Sequence, residues 1–175
     1  MPEAPSVRVL TAADAPAYRE VRLAGLRTDP LAFVTAADEF AARPASEIAG
    51  RLEPRAGVVT LGAFVDGALV GILTVVREAL PTLAHRANVV AVSVLPHARG
   101  QGCGDALLRA GIAQARTWPG VSSLHLAVVE TQHAARRLYE RHGFRHWGTR
   151  PDALHVEGRS LAEHWLWLDL TRQEA

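Results

Sequence analysis

Arg99-Gly100-Gln101-Gly102-Cys103-Gly104 stands between an apolar, strand-like run, Val89 to Val94, and a helix-like run, Asp105 to Arg116. A glycine-rich turn in that position lets consecutive backbone N–H groups point into one small space. The positive end of the following helix adds its own attraction for a pyrophosphate. The stretch therefore reads as a phosphate cradle between strand and helix. Spacing excludes two other phosphate loops. In a dinucleotide-binding G-x-G-x-x-G, the glycine after Gly100 and Gly102 would fall at Asp105, and Gly104 comes one place too early. A nucleotide-triphosphate loop needs G-K-[ST], and no lysine is present.

Outward from this turn, periodicity predicts a mixed α/β domain without repeats or a linker. Val7 to Leu10 reads as a first strand, and Asp14 to Arg27 as a helix capped by Asp14 and stopped by Asp29-Pro30. Thr35 to Ala42 and Ser46 to Leu52 read as short helices opened by hydroxyl caps and separated by Pro44. Val58 to Val65 and Ala68 to Arg77 form a hairpin about Asp66-Gly67, and Ala87 to Val94 is the next strand. After the glycine turn comes a helix with Leu108, Ile112 and Ala115 on one face. Ser123 to Val129 is a strand, His133 to His142 a helix stopped by Gly143, and Phe144 to Thr149 and Glu163 to Leu170 the last two strands. Trp165 and Trp167 alternate with Leu166 and Leu168, the pattern of a strand buried on both faces.

Composition limits the function classes. A chain of 175 residues, 49% hydrophobic and 21% charged, suits one well-packed core. A net charge of +1 argues for neither nucleic acid nor an anionic membrane as partner. The apolar runs are far too short to span a bilayer and the N-terminus lacks a basic-then-apolar leader, so the expectation is a cytoplasmic protein. Cys103 is the single cysteine, so no internal disulfide forms, and no Cys/His cluster has metal-ligand spacing. Cys103 reads as a packing thiol. His142 and His146 are four apart, but Gly143 interrupts the helix between them. All 19 basic residues are arginine and Asn88 is the one asparagine, a bias that fits a GC-rich genome.

Read as R-x-x-G-x-G, with Arg99, Gly102 and Gly104, the turn resembles that of the GCN5-related N-acetyltransferase (GNAT) family. A second signature lies downstream, where Leu126-Ala127-Val128-Val129 precedes Ala135-x-x-Leu138-Tyr139-x-x-x-Gly143-Phe144. Asp29-Pro30-x-x-Phe33 is similar to the helix pair that walls the acceptor site in many bacterial members, and Gly148 to Leu170 to the tail of one bacterial subgroup. The resemblance covers nearly the whole chain and implies a bacterial member of the family. It further implies the acyl-CoA N-acyltransferase fold, a mixed, twisted α/β sheet of about seven strands flanked by helices, as one N-acetyltransferase domain over residues 5–172.

The same resemblance assigns roles. Acetyl-CoA would be the cosubstrate, with no metal. Its pyrophosphate would lie against Arg99, Gly100, Gln101, Gly102, Cys103 and Gly104, and its pantetheine arm would pair with the backbone of Val92, Ser93 and Val94. Tyr139 would stand at the sulfur as general acid; a positioned O–H stabilises the thiolate that amine attack expels. Gln132 occupies the place, seven before the tyrosine, where relatives have an asparagine for the pantetheine arm. The base is unassigned. Asn88 and Ala127 stand where relatives have carboxylates, leaving water, Glu39, Glu78 or a histidine. Arg136 and Arg137 read as a solvated helix face or as contacts to coenzyme phosphates.

The expected activity is acetyl transfer to a primary amine of a small molecule by direct attack. A protein or peptide acceptor and a catalytically silent acyl-CoA sensor remain as alternatives. A homodimer is left open.

Overall fold

The elements, in a computed structural model that describes residues 4–172, are β1 (Ser6–Val9), α1 (Ala15–Thr28), α2 (Ala37–Ala41), α3 (Ala45–Leu52), β2 (Val58–Val65), β3 (Ala68–Arg77), β4 (Arg86–Val94), α4 (Cys103–Thr117), β5 (Ser123–Val129), α5 (His133–Arg141), β6 (Arg145–Val156) and β7 (Arg159–Asp169). The strands form one sheet in the order β1-β2-β3-β4-β5-β7-β6. Every neighbouring pair is antiparallel except β4 and β5. The mixed seven-stranded sheet expected from the sequence is therefore present.

Each face of the sheet has its own helices because side chains alternate along the strands. On one face, Leu107, Leu108 and Ile112 of α4 join Leu61, Leu73, Val75, Val89 and Leu124 in the larger core. On the other, Val21 and Leu26 of α1, Phe40, Ile48 and Leu52 meet Leu10, Leu69 and Ile72. Gly25 fixes the height of α1 over the sheet. A Cβ there would lie 2.1 Å from the Ser93 Oγ, so only glycine lets the helix settle on β4.

Several local expectations are corrected. Neither short helix has a hydroxyl cap: α2 is preceded by Ala36 and α3 by Pro44, in extended backbone at φ −60° and ψ 146°, which places Ser46 inside the helix. Asp14 does precede α1, but its carboxylate turns back to accept from the Thr11 N–H at 2.9 Å and from Arg8. Helix α4 starts at Cys103, two residues before the predicted start.

The largest correction concerns residues 150–162, which lie between the last two predicted strands and are found as the continuation of β6 and β7 around Glu157-Gly158. Glu157 (φ 50°) and Gly158 (φ 74°) share the left-handed geometry of Asp66 and Gly67 in the predicted hairpin. Pro151 is tolerated because β6 is an edge strand and the register breaks between Arg150 and Leu154.

The two-sided burial expected for Trp165 and Trp167 also fails. Leu166 is wholly buried opposite Leu126, but the tryptophans lie half-exposed on the other face, in register with Ala127 and His125. Helix α1 lies mainly over β3 and β4 there. Trp165 packs instead against Trp147, which is 61% exposed, and beneath the Arg150 guanidinium at 4.9 Å.

Candidate active site

Strands β4 and β5 begin as a parallel pair and then part. They are in register only from Arg86, Ala87 and Asn88 to Ser123, Leu124 and His125. Beyond Asn88 a bulge in β4 places Ala91 at φ 55° and shifts its register with β3 between Ile72 and Thr74. Left-handed backbone at alanine costs on the order of 1–2 kcal/mol. What it produces is an open V between the strands, a cleft of about 630 Å3 lined by Val89 to Val94 on one side and Ala127 to Val129 on the other. The β4 edge facing this cleft has no strand partner past Asn88, so its N–H and C=O groups are free to pair with an extended ligand.

The glycine turn closes one end of the V. Gly100 (φ 75°) and Gly102 (φ 82°) are both left-handed, and Gly102 immediately precedes α4. The first bond into the helix runs from the Ala106 N–H to the Gly102 carbonyl at 2.9 Å. The N–H groups of Cys103, Gly104 and Asp105 thus lack intrahelical partners, and a 15-residue helix aims its positive end at the cleft. A Cβ on Gly102 would meet nothing within 4 Å, whereas one on Gly104 would press on Leu138 of α5 at 3.0 Å.

Other turn residues hold it in place. The Arg99 Nε donates to the Val94 carbonyl at 3.0 Å, and its Nη2 pairs with Asp29 beyond the end of α1. That takes the Val94 carbonyl out of the set expected to meet a pantetheine arm. The Gln101 side chain donates to the His97 carbonyl at 2.8 Å. Cys103 is 1% exposed in the core, and burial pushes its thiol pKa up, opposite to what a nucleophile needs. Ser93 is buried beneath Gly25.

Tyr139 lines the same cleft from α5. It is 6% exposed, packs edge-on against Phe144 at 6.0 Å between centroids, and makes no side-chain hydrogen bond among the described residues. Burial pushes its hydroxyl pKa up to about 12, so at neutral pH it is a proton donor. Gln132 also borders the cleft; its amide donates to the Thr131 hydroxyl at 3.3 Å. Arg137 and Arg141 face the cleft too, while Arg136 pairs with Glu140 on the helix surface. Asp105 carries His142 at 3.0 Å and Arg141 at 3.4 Å, and these bonds hold its carboxyl below the usual carboxylate range.

The α1 face of the sheet collects the candidate bases. Asn88 donates to the Glu78 carboxylate at 2.9 Å, and the Arg86 guanidinium lies 4.0 Å from the same oxygen. His125, opposite Asn88, forms a hydrogen bond between its Nε2 and the Ser123 Oγ at 2.9 Å. Burial, then Arg86 and His85, lower its pKa, which favours the neutral imidazole. Glu39 instead pairs with Arg43 on α2.

Sequence reasoning missed Asp29 as the partner of Arg99 and Glu78 as the partner of Asn88. The first pair is separated by 70 residues and the second by 10, with no shared motif. His146 bonds Thr149, away from His142, and no group of three metal-ligating side chains occurs among the described residues. No helix among them is long and apolar enough to cross a membrane.

Comparison with known proteins bears on the fold and the family. The L-amino acid N-acetyltransferase AaaT of Escherichia coli is 31% identical over 99 residues, which are 57% of this chain and 60% of that protein. An acetyltransferase of the GNAT family from Streptococcus pneumoniae superposes with a TM-score of 0.84 at 21% identity, covering 94% of this chain and 98% of the other. A Salmonella typhimurium protein solved with its cofactor acetyl-CoA superposes at 0.75 with 21% identity, over 99% and 98% of the two chains. Residues 23–144 match the sequence model of the acetyltransferase (GNAT) family, and the chain belongs to that family.

Proposed function

We propose that this protein transfers the acetyl group of acetyl-CoA to the primary amine of a small molecule by direct attack. The observation that carries this reading is the convergence on one cleft of a β4 edge and a Tyr139 hydroxyl that have no partner among the described residues, together with a helix N-terminus behind left-handed glycines. Acetyl-CoA brings an activated thioester carbon, which the amine nitrogen attacks as the C–S bond breaks and coenzyme thiolate leaves.

The residues take distinct tasks in this reading. Backbone groups of Val92 and Ser93 hold the pantetheine arm as an added strand, with Gln132 on the opposite wall. The N–H groups at Gly102, Cys103 and Gly104 receive the pyrophosphate; Gly100 supplies the turn, and Arg99 and Gln101 hold it rigid. Tyr139 donates its hydroxyl hydrogen to the departing sulfur. Glu78, fixed by Asn88, takes the proton that the amine must lose. It supplies from the adjoining turn the carboxylate missing at Asn88 itself.

A small acceptor is supported by the relationship to a protein named as an L-amino acid N-acetyltransferase. Release of coenzyme thiol, followed with a thiol reagent over amino acids, simple amines, aminoglycosides and peptides, tests the reading. Small amines are expected to be turned over and peptides not. Turnover confined to peptides would replace it, and absence of turnover with intact acetyl-CoA binding would favour a sensor.

A further inference from the structure

Arg22 is the anomaly of this fold. It lies on α1, one turn before the Gly25 that seats the helix on β4, and is 8% exposed. Its Nη1 is the one buried side-chain nitrogen or oxygen among the described residues without a hydrogen-bond partner. Among the described residues no carboxylate forms an ion pair with it. The charged or titratable groups that act on it are Tyr18 and Arg43, and burial together with Arg43 pushes its pKa down. What it touches is the Phe33 ring, 4.6 Å from the guanidinium carbon, and Phe33 lines the cleft beside Asp29 and Ala32.

A guanidinium does not escape burial by losing its proton at working pH, so an unpaired one is a standing cost. The aromatic face returns only part of it. Exposed arginines of this chain, such as Arg8 and Arg51, have acidic partners, so the absence at Arg22 is not a shortage of acids. A group that binds the protein must supply the missing acceptor. The planar fork of a guanidinium is matched by the two oxygens of a carboxylate.

We propose that Arg22, carried against Phe33 at the edge of the cleft, binds the carboxylate of the acceptor, so that the substrate class is an amino acid and not an uncharged amine. This rests on the small-molecule reading above and narrows it. The carboxylate accepts N–H groups of Arg22 while the acceptor's amino group faces the β4–β5 opening.

The test compares L-amino acids with their carboxamides, matched pairs differing only in the anion, on the wild type, Arg22→Met and Arg22→Lys. For the wild type, kcat/KM for acids should exceed that for amides by about 10²-fold or more, the scale on which losing one partner of a charged pair is felt. In Arg22→Met that preference should collapse to within about threefold, through a raised KM for the acid; Arg22→Lys should recover part of it. Melting with CoA present gives a readout free of chemistry. Acids but not amides should stabilise the wild type, and neither should stabilise Arg22→Met, which alone should melt no lower than the wild type. Equal use of acids and amides by the wild type, or a preference that survives Arg22→Met, overturns the proposal. If Arg22→Met fails to fold, equal stabilisation of the wild type by acids and amides has the same force. Turnover of uncharged amines would then leave acetyl transfer to small molecules intact, while turnover of peptides alone would remove that reading as well.

Discussion

Replacing Tyr139 with Phe removes one oxygen and leaves the packing surface in place. The ring keeps its edge-on contact with Phe144, and among the described residues no group bonded to the hydroxyl is orphaned. Folding stability should therefore change by no more than about 0.5 kcal/mol. Catalysis should change far more. General acids contribute about 10²–10⁴-fold, and the lower end corresponds to roughly 2.7 kcal/mol of barrier. Because burial holds the hydroxyl pKa at about 12, Tyr139 stays protonated across an ordinary assay range, and the ratio of wild-type to variant kcat should be flat with pH. The assay is initial-rate thiol release at saturating acetyl-CoA, paired with thermal melting and with KM for acetyl-CoA. The predicted result is kcat lower by about 10²-fold with KM for acetyl-CoA unchanged. A fall below about threefold would refute proton donation by Tyr139, as would a loss carried by KM or a ratio that varies with pH in the neutral range.

Gly102→Val should abolish coenzyme binding, because a branched side chain at φ 82° is strained and would shift the turn that presents the N–H groups at the start of α4. Acetyl-CoA at about 100 times its Kd should stabilise the wild type by roughly 2.7 kcal/mol and the variant not at all, as read by melting. Glu78→Gln should lower kcat by about 10-fold or more while leaving that acetyl-CoA-induced stabilisation intact, since it removes a proton acceptor and keeps the Asn88 contact. Unchanged kcat would move the base elsewhere, with His125 next in place.

Much of this fold is legible residue by residue because the information is local. The Asp66-Gly67 hairpin, the 3.6-residue apolar rows of α4 and α5, and the glycines before α4 each depend on neighbours a few positions away. The candidate site is legible where it shares that property. The glycine turn lies within six consecutive residues, and Tyr139 lies within one helix whose apolar side faces the core. Even so, local signals misled where a stronger local constraint competed. Pro44 displaced the hydroxyl caps, and Pro151 concealed a strand that an edge position and a broken register permit.

Sequence alone determined the order of strands and helices, the glycine turn that leads into α4 and the helix that carries the tyrosine, because backbone geometry and amphipathic periodicity are written in adjacent residues. Tertiary structure decided the rest. The width of the cleft depends on where β4 and β5 cease to pair, which is set by the Ala91 bulge against β3. Arg99 meets Asp29 and Asn88 meets Glu78 only because distant or turn-separated segments pack together. Arg22 reads in the sequence as one of 19 arginines on a helix, and only the packing of α1 against β4 and Phe33 removes its counter-charge and its water. Burial and charge pairing are sums over neighbours in space, and a one-dimensional pattern does not contain those sums.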